Sequence, residues 1–293
     1  MKKFNVSLLV KTFLRPMCLD NLLSSVQDYQ SQWDLEFDEI LIIDDSDDEN
    51  QRANQEVLKK YPNLKTVYKS YPFNSVGLSK GRNEGLKFIK NDWFILCDDD
   101  FIFDTACDLG ACLDLAIRKK VDILGGHYRD IQSLGATTYT PGNWMGFIRE
   151  NDEFDYVSIF NKLFPKFCYC DIVQNFYIGR TEAFKKVSYP EDMPLLEHNV
   201  FFLRAKHAGL TVATTSDLWV KHFHIRSNAN YNNLRDRKVV NPITKPVLGY
   251  LHTSDRVIHF HDYLHIKGDE IYRRVNPPRT RLQNFWAKII KKG

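Results

Sequence analysis

Through the first 125 residues, short aliphatic and β-branched runs alternate with stretches whose apolar positions recur three and four apart. Residues 6–10 read as a strand, and the spacing of Leu19, Leu22, Leu23 and Val26 after Pro16 predicts a helix. Residues 40–43 then read as a second strand, 50–60 as a polar helix, 64–68 as a third strand, 78–89 as another helix and 93–97 as a fourth strand. That rhythm makes βαβ units, and hence an α/β fold with a largely parallel sheet covered by helices on both faces. Residues 122–180 read as shorter strands and aromatic-rich loops, 197–208 as a helix and 211–222 as two short strands. The pattern divides the chain into a main domain over 1–230, whose halves are 1–125 and 126–230, and an extension over 231–293. Ligands of open α/β sheets bind beyond the carboxyl ends of the strands, so the residues following each strand are where chemistry is sought.

Composition narrows the classes. With 293 residues, 43% hydrophobic and 26% charged, the chain can bury a full core, and its 14 Gly and 11 Pro show no fixed period, which excludes disordered, collagen-like and solenoid readings. The net charge of +3 hides an asymmetry: residues 271–293 hold seven Lys or Arg and no acid, leaving 33 basic against 37 acidic groups elsewhere. Within this tail Leu282, Phe285, Trp286, Ile289 and Ile290 recur at helical spacing beside Arg279, Arg281, Lys288, Lys291 and Lys292. Such a helix suits an anionic membrane surface, and equally a helix docked on the body of the protein. Nucleic acid is not an expected partner, because the basic residues form no long stripe and the body is acidic. The apolar run at 6–10 is broken by Lys11 and lacks a small-residue cleavage site, and no stretch approaches a membrane span. Six cysteines without a CxxC pair read as reduced thiols. A cytoplasmic protein, peripheral on the inner membrane face, is the expectation.

Three polar clusters stand at strand ends: residues 12–16, the pair Asp44 and Asp45, and the triplet Asp98, Asp99 and Asp100. Adjacent carboxylates closing an apolar strand repel one another, so a divalent cation is expected to offset them, and hard oxygen ligands favour Mg²⁺ or Mn²⁺. The bland alternative is an acidic turn capping a helix that begins near Thr105. Between Asp44 and Glu49 only the two residues nearest the strand are functional candidates; the rest reads as solvated loop and helix start. The segment GLSKGRN at 77–83 contains G-x-S-x-G, formally a nucleophile elbow with Ser79 as a hydrolase nucleophile. An elbow needs a strand running into its first glycine, however, and the sequence from Tyr71 to Asn74 breaks the chain there. The preferred reading is a glycine-rich helix start whose amides at Gly77 and whose Arg82 face an anionic ligand. No Walker loop and no GxGxxG is present.

Taken together, the Asp pair, GLSKGRN and FILCDDDF at 94–101 resemble the inverting glycosyltransferases of GT-A fold, with the triplet as their DxD element. The opening VKTFLRPMCLDNLLSSV, the strand ILGGHYRDI, and then DIVQNFYIGRTEAF, EHNVFFLRAKHAGLTVA and DLWVKH are similar to β-1,4-N-acetylgalactosaminyltransferases related to ganglioside GM2 synthase, and to bacterial family 2 relatives. The resemblance spans roughly residues 5–225. It implies that 1–125 is a nucleotide-binding half and 126–230 an acceptor-binding half. Thr12, Arg15 and Asp44 or Asp45 would hold the uracil end of a UDP-sugar, with Gly77, Arg82, Asp98 and Asp99 also near the donor. Asp98 would face ribose or metal, Asp100 would bind the metal directly, and His222 would add a ligand, with His224 as its alternative. Glu197 would be the base that deprotonates the acceptor hydroxyl, with His198 orienting it or substituting for it; relatives carry an acid just before the FF pair, where this chain has Val200. Trp144, in a loop with Asn143 and Met145, and Asn175 would meet the acceptor, and 224–233 would be a lid. The group His252, His259, His261 and His265 is read as structural. The implied reaction is metal-dependent transfer of N-acetylgalactosamine in β-1,4 linkage from a UDP-sugar to a glycan such as a bacterial surface polysaccharide or lipooligosaccharide. UDP-galactose, UDP-glucose and UDP-GlcNAc are the alternative donors.

Overall fold

The computed structural model describes residues 2–133, 136–137, 143–148, 154–159, 165–191, 197–223 and 253–259. The N-terminal half follows the expected alternation: β1 (Lys2–Thr12), α1 (Pro16–Trp33), β2 (Leu35–Asp44), α2 (Asp48–Lys59), β3 (Thr66–Ser70), α3 (Gly77–Phe88) and β4 (Trp93–Asp98). A two-residue strand β5 (Phe101–Ile102) follows, then α4 (Leu109–Lys119), β6 (Ile123–Ser133), β7 (Ala136–Thr137), β8 (Asn143–Ile148) and β9 (Phe154–Ile159). The remainder is β10 (Cys168–Cys170), β11 (Tyr177–Arg180), α5 (Thr181–Phe184), α6 (Glu197–His207), β12 (Val212–Phe223) and β13 (Thr253–His259). Among the described residues the larger sheet runs β10-β12-β6-β11-β4-β1-β2-β3, with β5 added to β12 and β7 to β6. Its β1, β2, β3 and β4 are parallel, whereas β11 lies antiparallel between β4 and β6.

The period-2 geometry of the strands splits their side chains between two cores. Val6, Leu8, Val10, Ile40, Ile42 and Ile95 point to the face covered by α1 and α4, where Leu19, Leu22, Leu23, Leu109 and Ala116 meet them. Leu9, Leu41, Ile43, Phe94 and Leu96 point to the opposite face, closed by Phe201 and Phe202 of α6. Helix α3 lies on this second face at very close range: a Cβ at Gly85 would stand 2.3 Å from Leu9 Cδ1, and one at Gly81 would stand 2.6 Å from Lys11 Cδ.

The acidic run after β2 ends in the expected helix start, where the Asp47 side chain accepts from the Asn50 amide to cap α2. Local expectations change in two places. The helix expected near Thr105 starts at Leu109, capped by Asp108 accepting from the Ala111 amide, so the acidic triplet does not cap it. Where two short strands over 211–222 are expected, one strand, Val212–Phe223, runs through with a register irregularity between Thr214 and Trp219. The extension contributes β13, which pairs in parallel with β9 in a smaller sheet, β13-β9-β8. The amphipathic tail, the 224–233 segment, His224, His252, His261 and His265 lie outside the described residues. Among the described residues no helix is long and apolar enough to cross a membrane, and all six cysteines are buried free thiols.

Candidate active site

Adjacent parallel strands bring their carboxyl ends together. Thr12 at the end of β1 pairs with Asp44 of β2, and Lys11 pairs with Asp98 of β4. Just past β1 the chain reverses at Leu14, held in the left-handed region (φ 57°) with its amide donating to Ser46 Oγ at 2.8 Å. A bulky residue adopts that backbone only when its surroundings impose it; here the turn returns Arg15 over the acidic triplet. On the other side β5 pairs antiparallel with β12, setting His222 opposite Phe101, and the Phe223 amide donates to the Asp100 carbonyl at 2.8 Å. Residues more than a hundred positions apart therefore share one corner.

Each acid of the triplet has its own partner. Asp98, with a side chain 26% exposed, accepts from Arg82 Nη2 at 2.8 Å. Asp99 is fully buried, accepts from Thr12 Oγ1 at 2.8 Å and pairs with Arg15; burial raises its pKa to about 6 although Arg15 works against that. Asp100 accepts from Arg15 Nη1 at 2.7 Å and faces His222 Nε2 at 3.6 Å. Burial would raise Asp100, but His222 and Arg15 outweigh it and hold the carboxyl well below the usual range. The repulsion expected to call for a metal is thus already offset by two arginines and a histidine, so charge alone does not require an ion here.

His222 is fixed on all sides. Its Nδ1 lies 2.8 Å from Asp130 Oδ1, and the rings of Phe101 and Tyr128 stand edge-on at centroid distances of 5.4 and 4.9 Å. Burial disfavours its charge, yet Asp100 and Asp130 raise its pKa to about 9. An imidazole with a carboxylate behind one nitrogen and another carboxylate before the other is the donor set that suits a divalent ion. The third expected ligand, Asp98, is turned toward Arg82, and among the described residues no three His, Cys, Asp or Glu side chains close on a single point. Asp100 and His222 are therefore a pair of ligand-type side chains facing each other at 3.6 Å.

The Asp pair after β2 is brought to the same edge and is hydrogen bonded within the protein. Both Asp44 oxygens are engaged, by the Ser46 amide, Asn54 Nδ2 and the Tyr68 hydroxyl, and the residue is fully buried. Asp45, also fully buried, accepts from Lys11 Nζ at 2.6 Å and from the amides of Val76 and Gly77 at 3.0 and 2.7 Å. The glycine-rich helix start thus binds an anion, as the pattern suggested, but that anion is the protein's own carboxylate. Arg82 likewise turns inward: fully buried, it bridges Asp98 and, at 3.4 Å, Glu197 Oε1, and packs over Tyr189. Burial alone would weaken its charge, but those two acids and Tyr189 raise its pKa instead. Its Nε has no hydrogen-bond partner among the described residues.

Glu197 begins α6 and is brought beside Asp98 through Arg82. His198 lies in the plane-to-edge grip of Trp144 and Phe202, at 5.6 and 4.9 Å, and burial together with Arg82 lowers its pKa to about 3. A ring held neutral to that degree takes up no proton near pH 7, so it is ill-suited to stand in as the base. Trp144 reaches the corner on two sides, touching His198 and hydrogen bonding to Tyr128. Asn175 precedes β11, and extending the β11–β4 register from Tyr177↔Leu96 sets it level with Asp98; its buried Oδ1 has no hydrogen-bond partner among the described residues. Ser79 is buried within the first turn of α3, with no strand entering Gly77, which removes the nucleophile-elbow reading. Lys11, Asp130 and Tyr189 were missed. Lys11 was visible as a charge interrupting an apolar strand, and Asp130 as an acid at an inward position of ILGGHYRDI; Tyr189 has no signal in the sequence.

Comparison with known proteins gives the chain a family and a fold. Residues 7–184 match the family described as Glycosyl transferase family 2. The chain is 28% identical over 232 residues to Beta-1,4 N-acetylgalactosaminyltransferase 1 of Rattus norvegicus, covering 75% of this chain and 40% of that protein. It is 24% identical over 200 residues to Beta-1,4 N-acetylgalactosaminyltransferase 2 of Mus musculus, covering 68% and 35%. The chain therefore spans about two fifths of the curated relatives it matches. Among solved structures, S. aureus TarS 1-349 in complex with UDP-GlcNAc superposes with a TM-score of 0.57 at 16% identity, over 85% of this chain and 66% of that one, a likeness of fold.

Proposed function

The chain belongs to glycosyl transferase family 2, and from that premise we propose that it is a divalent-metal-dependent inverting transferase that moves N-acetylgalactosamine from UDP to a glycan hydroxyl. The observation that carries this reading is the Asp100–His222 pair, 3.6 Å apart, beside Thr12 and Arg15 at the carboxyl edge of the sheet. The GalNAc assignment is supported by the similarity to β-1,4-N-acetylgalactosaminyltransferases, and a UDP-linked donor by the fold shared with a UDP-GlcNAc complex. Mg²⁺ or Mn²⁺ held by Asp100 and His222 would supply positive charge against the diphosphate. Arg15, on the same acids, is placed to turn toward that diphosphate. Glu197 accepts the proton of the acceptor hydroxyl as it attacks opposite the departing UDP. Arg82 keeps Glu197 and Asp98 in fixed relation, and Trp144 and Asn175 receive the acceptor sugar. A bacterial surface polysaccharide or lipooligosaccharide is the acceptor class this reading favours.

The test is UDP release across UDP-GalNAc, UDP-GlcNAc, UDP-galactose and UDP-glucose with Mn²⁺ or Mg²⁺ present. Turnover is expected to be highest with UDP-GalNAc, to stop in excess EDTA, and to fall by at least about 100-fold in Asp100→Ala. Full turnover with EDTA would contradict the metal reading. We also place the protein in the cytoplasm with its basic tail on an anionic membrane face. The full chain is then expected to sediment with phosphatidylserine vesicles and a chain ending at residue 270 to remain in solution; equal sedimentation of both would sink that claim.

A further inference from the structure

We infer that Asp130 is a positioning residue that selects which nitrogen of His222 is presented to the divalent ion, an inference that rests on the metal-dependent reading above. Strands β6 and β12 run parallel with Asp130 and His222 as direct register partners. Lateral neighbours on one face of a sheet have side chains within reach, and the pair closes to 2.8 Å between Asp130 Oδ1 and His222 Nδ1. The outer torsion of a histidine is soft, so an untethered ring could present either nitrogen. Here Nδ1–H is committed to Asp130, the flanking rings of Phe101 and Tyr128 bar rotation, and Nε2 is left aimed at Asp100. A ligating imidazole must offer a lone pair. With Nδ1–H held by Asp130, Nε2 is the nitrogen whose proton would pass to solvent when an ion binds and whose lone pair would then face it, and the carboxylate behind the ring makes that lone pair more basic. Asp130 is itself nearly buried, so its charge is little screened by water.

A purely structural role would predict a loss of folding stability and nothing specific to metal. The two are separated by titrating Mn²⁺ into the full chain at saturating UDP, following free Mn²⁺ by electron paramagnetic resonance, for the wild type, Asp130→Ala and Asp130→Asn. Asp130→Ala is expected to weaken Mn²⁺ binding by about 10–100-fold, with turnover recovered when Mn²⁺ is raised to saturation. Asp130→Asn keeps an oxygen that accepts from Nδ1–H without the charge, and is expected to lie between the alanine variant and the wild type. Folded variants that bind Mn²⁺ as the wild type does would overturn the inference. If alanine does not fold, the asparagine variant decides alone, and wild-type affinity there overturns it. A wild type that takes up no Mn²⁺ with UDP present overturns the metal reading itself, an outcome distinct from failure of the Asp130 step.

Discussion

At the scale of single residues, opposite electrostatic environments sit a few side chains apart. Burial lowers His127 to about 4 and His198 to about 3, while Asp100 and Asp130 overcome burial to raise His222 to about 9. For the two depressed histidines the unfolded chain gains protons, as pH falls through about 6.5, that the folded chain refuses. Their contribution is therefore complete above that value and lost as the medium acidifies. His222 acts in reverse, stabilising below about 6.5 and losing that effect as pH rises through about 9. Unfolding free energy measured by urea denaturation is expected to fall more steeply in the wild type than in His127→Gln between pH 6 and 4.5. The expected difference is up to about 1.4 kcal/mol per pH unit; parallel slopes would contradict the neutral, buried state of His127. The triplet and His222 were legible from sequence because each directly follows or ends an apolar run. The partners of Asp44, Asp45 and Arg82 were not, because Asn54, Tyr68, Lys11 and Glu197 come from other elements. A short polar motif shows that an anion and a cation are wanted, but not that the protein satisfies both from within.

At the scale of elements, the approach of α3 to β1 sets how deeply Arg82 is carried into the core. Small residues at 81 and 85 allow that approach, and replacing one is a test with opposing terms. Gly85→Ala would gain at most about 1 kcal/mol in helix propensity. It would also force a Cβ to within 2.3 Å of Leu9 Cδ1 and 3.2 Å of Ile43 Cγ1, in packing where an extra methyl costs about 1–3 kcal/mol. The overpacking term is the larger, so a lower urea midpoint is expected; a raised midpoint would show that α3 can move away. The pattern reading recovered the elements of the N-terminal half because parallel strands buried on both faces are continuous apolar runs. It divided β12 because Ser216 and Asp217 at its irregularity look like a turn. It did not resolve β11, whose four residues are too few to establish a period.

At the scale of the molecule, the second half does more than lie over the first. β11 enters the sheet between β4 and β6, and β12 carries His222 to the triplet, so fold and site are completed by the same strands. The extension is joined through β13, whose pairing makes β9 an interior strand of the smaller sheet. A chain ending at residue 230 is expected to expose one edge of β9. Amide exchange over residues 154–159 would then rise by at least about tenfold relative to the full chain, with the 93–98 strand unaffected; equal protection would show that the smaller sheet stands without β13.

The two-residue ladder between β5 and β12 also has a meaning in time. A chain emerging from the ribosome forms its first four parallel strands from local units, and so has Thr12, Arg15 and the triplet together well before residue 222 is made. The corner in which Asp100 faces His222 does not form until β12 docks. A nascent or truncated chain stopping short of His222 would then hold Thr12, Arg15 and the triplet together without the histidine that closes their corner.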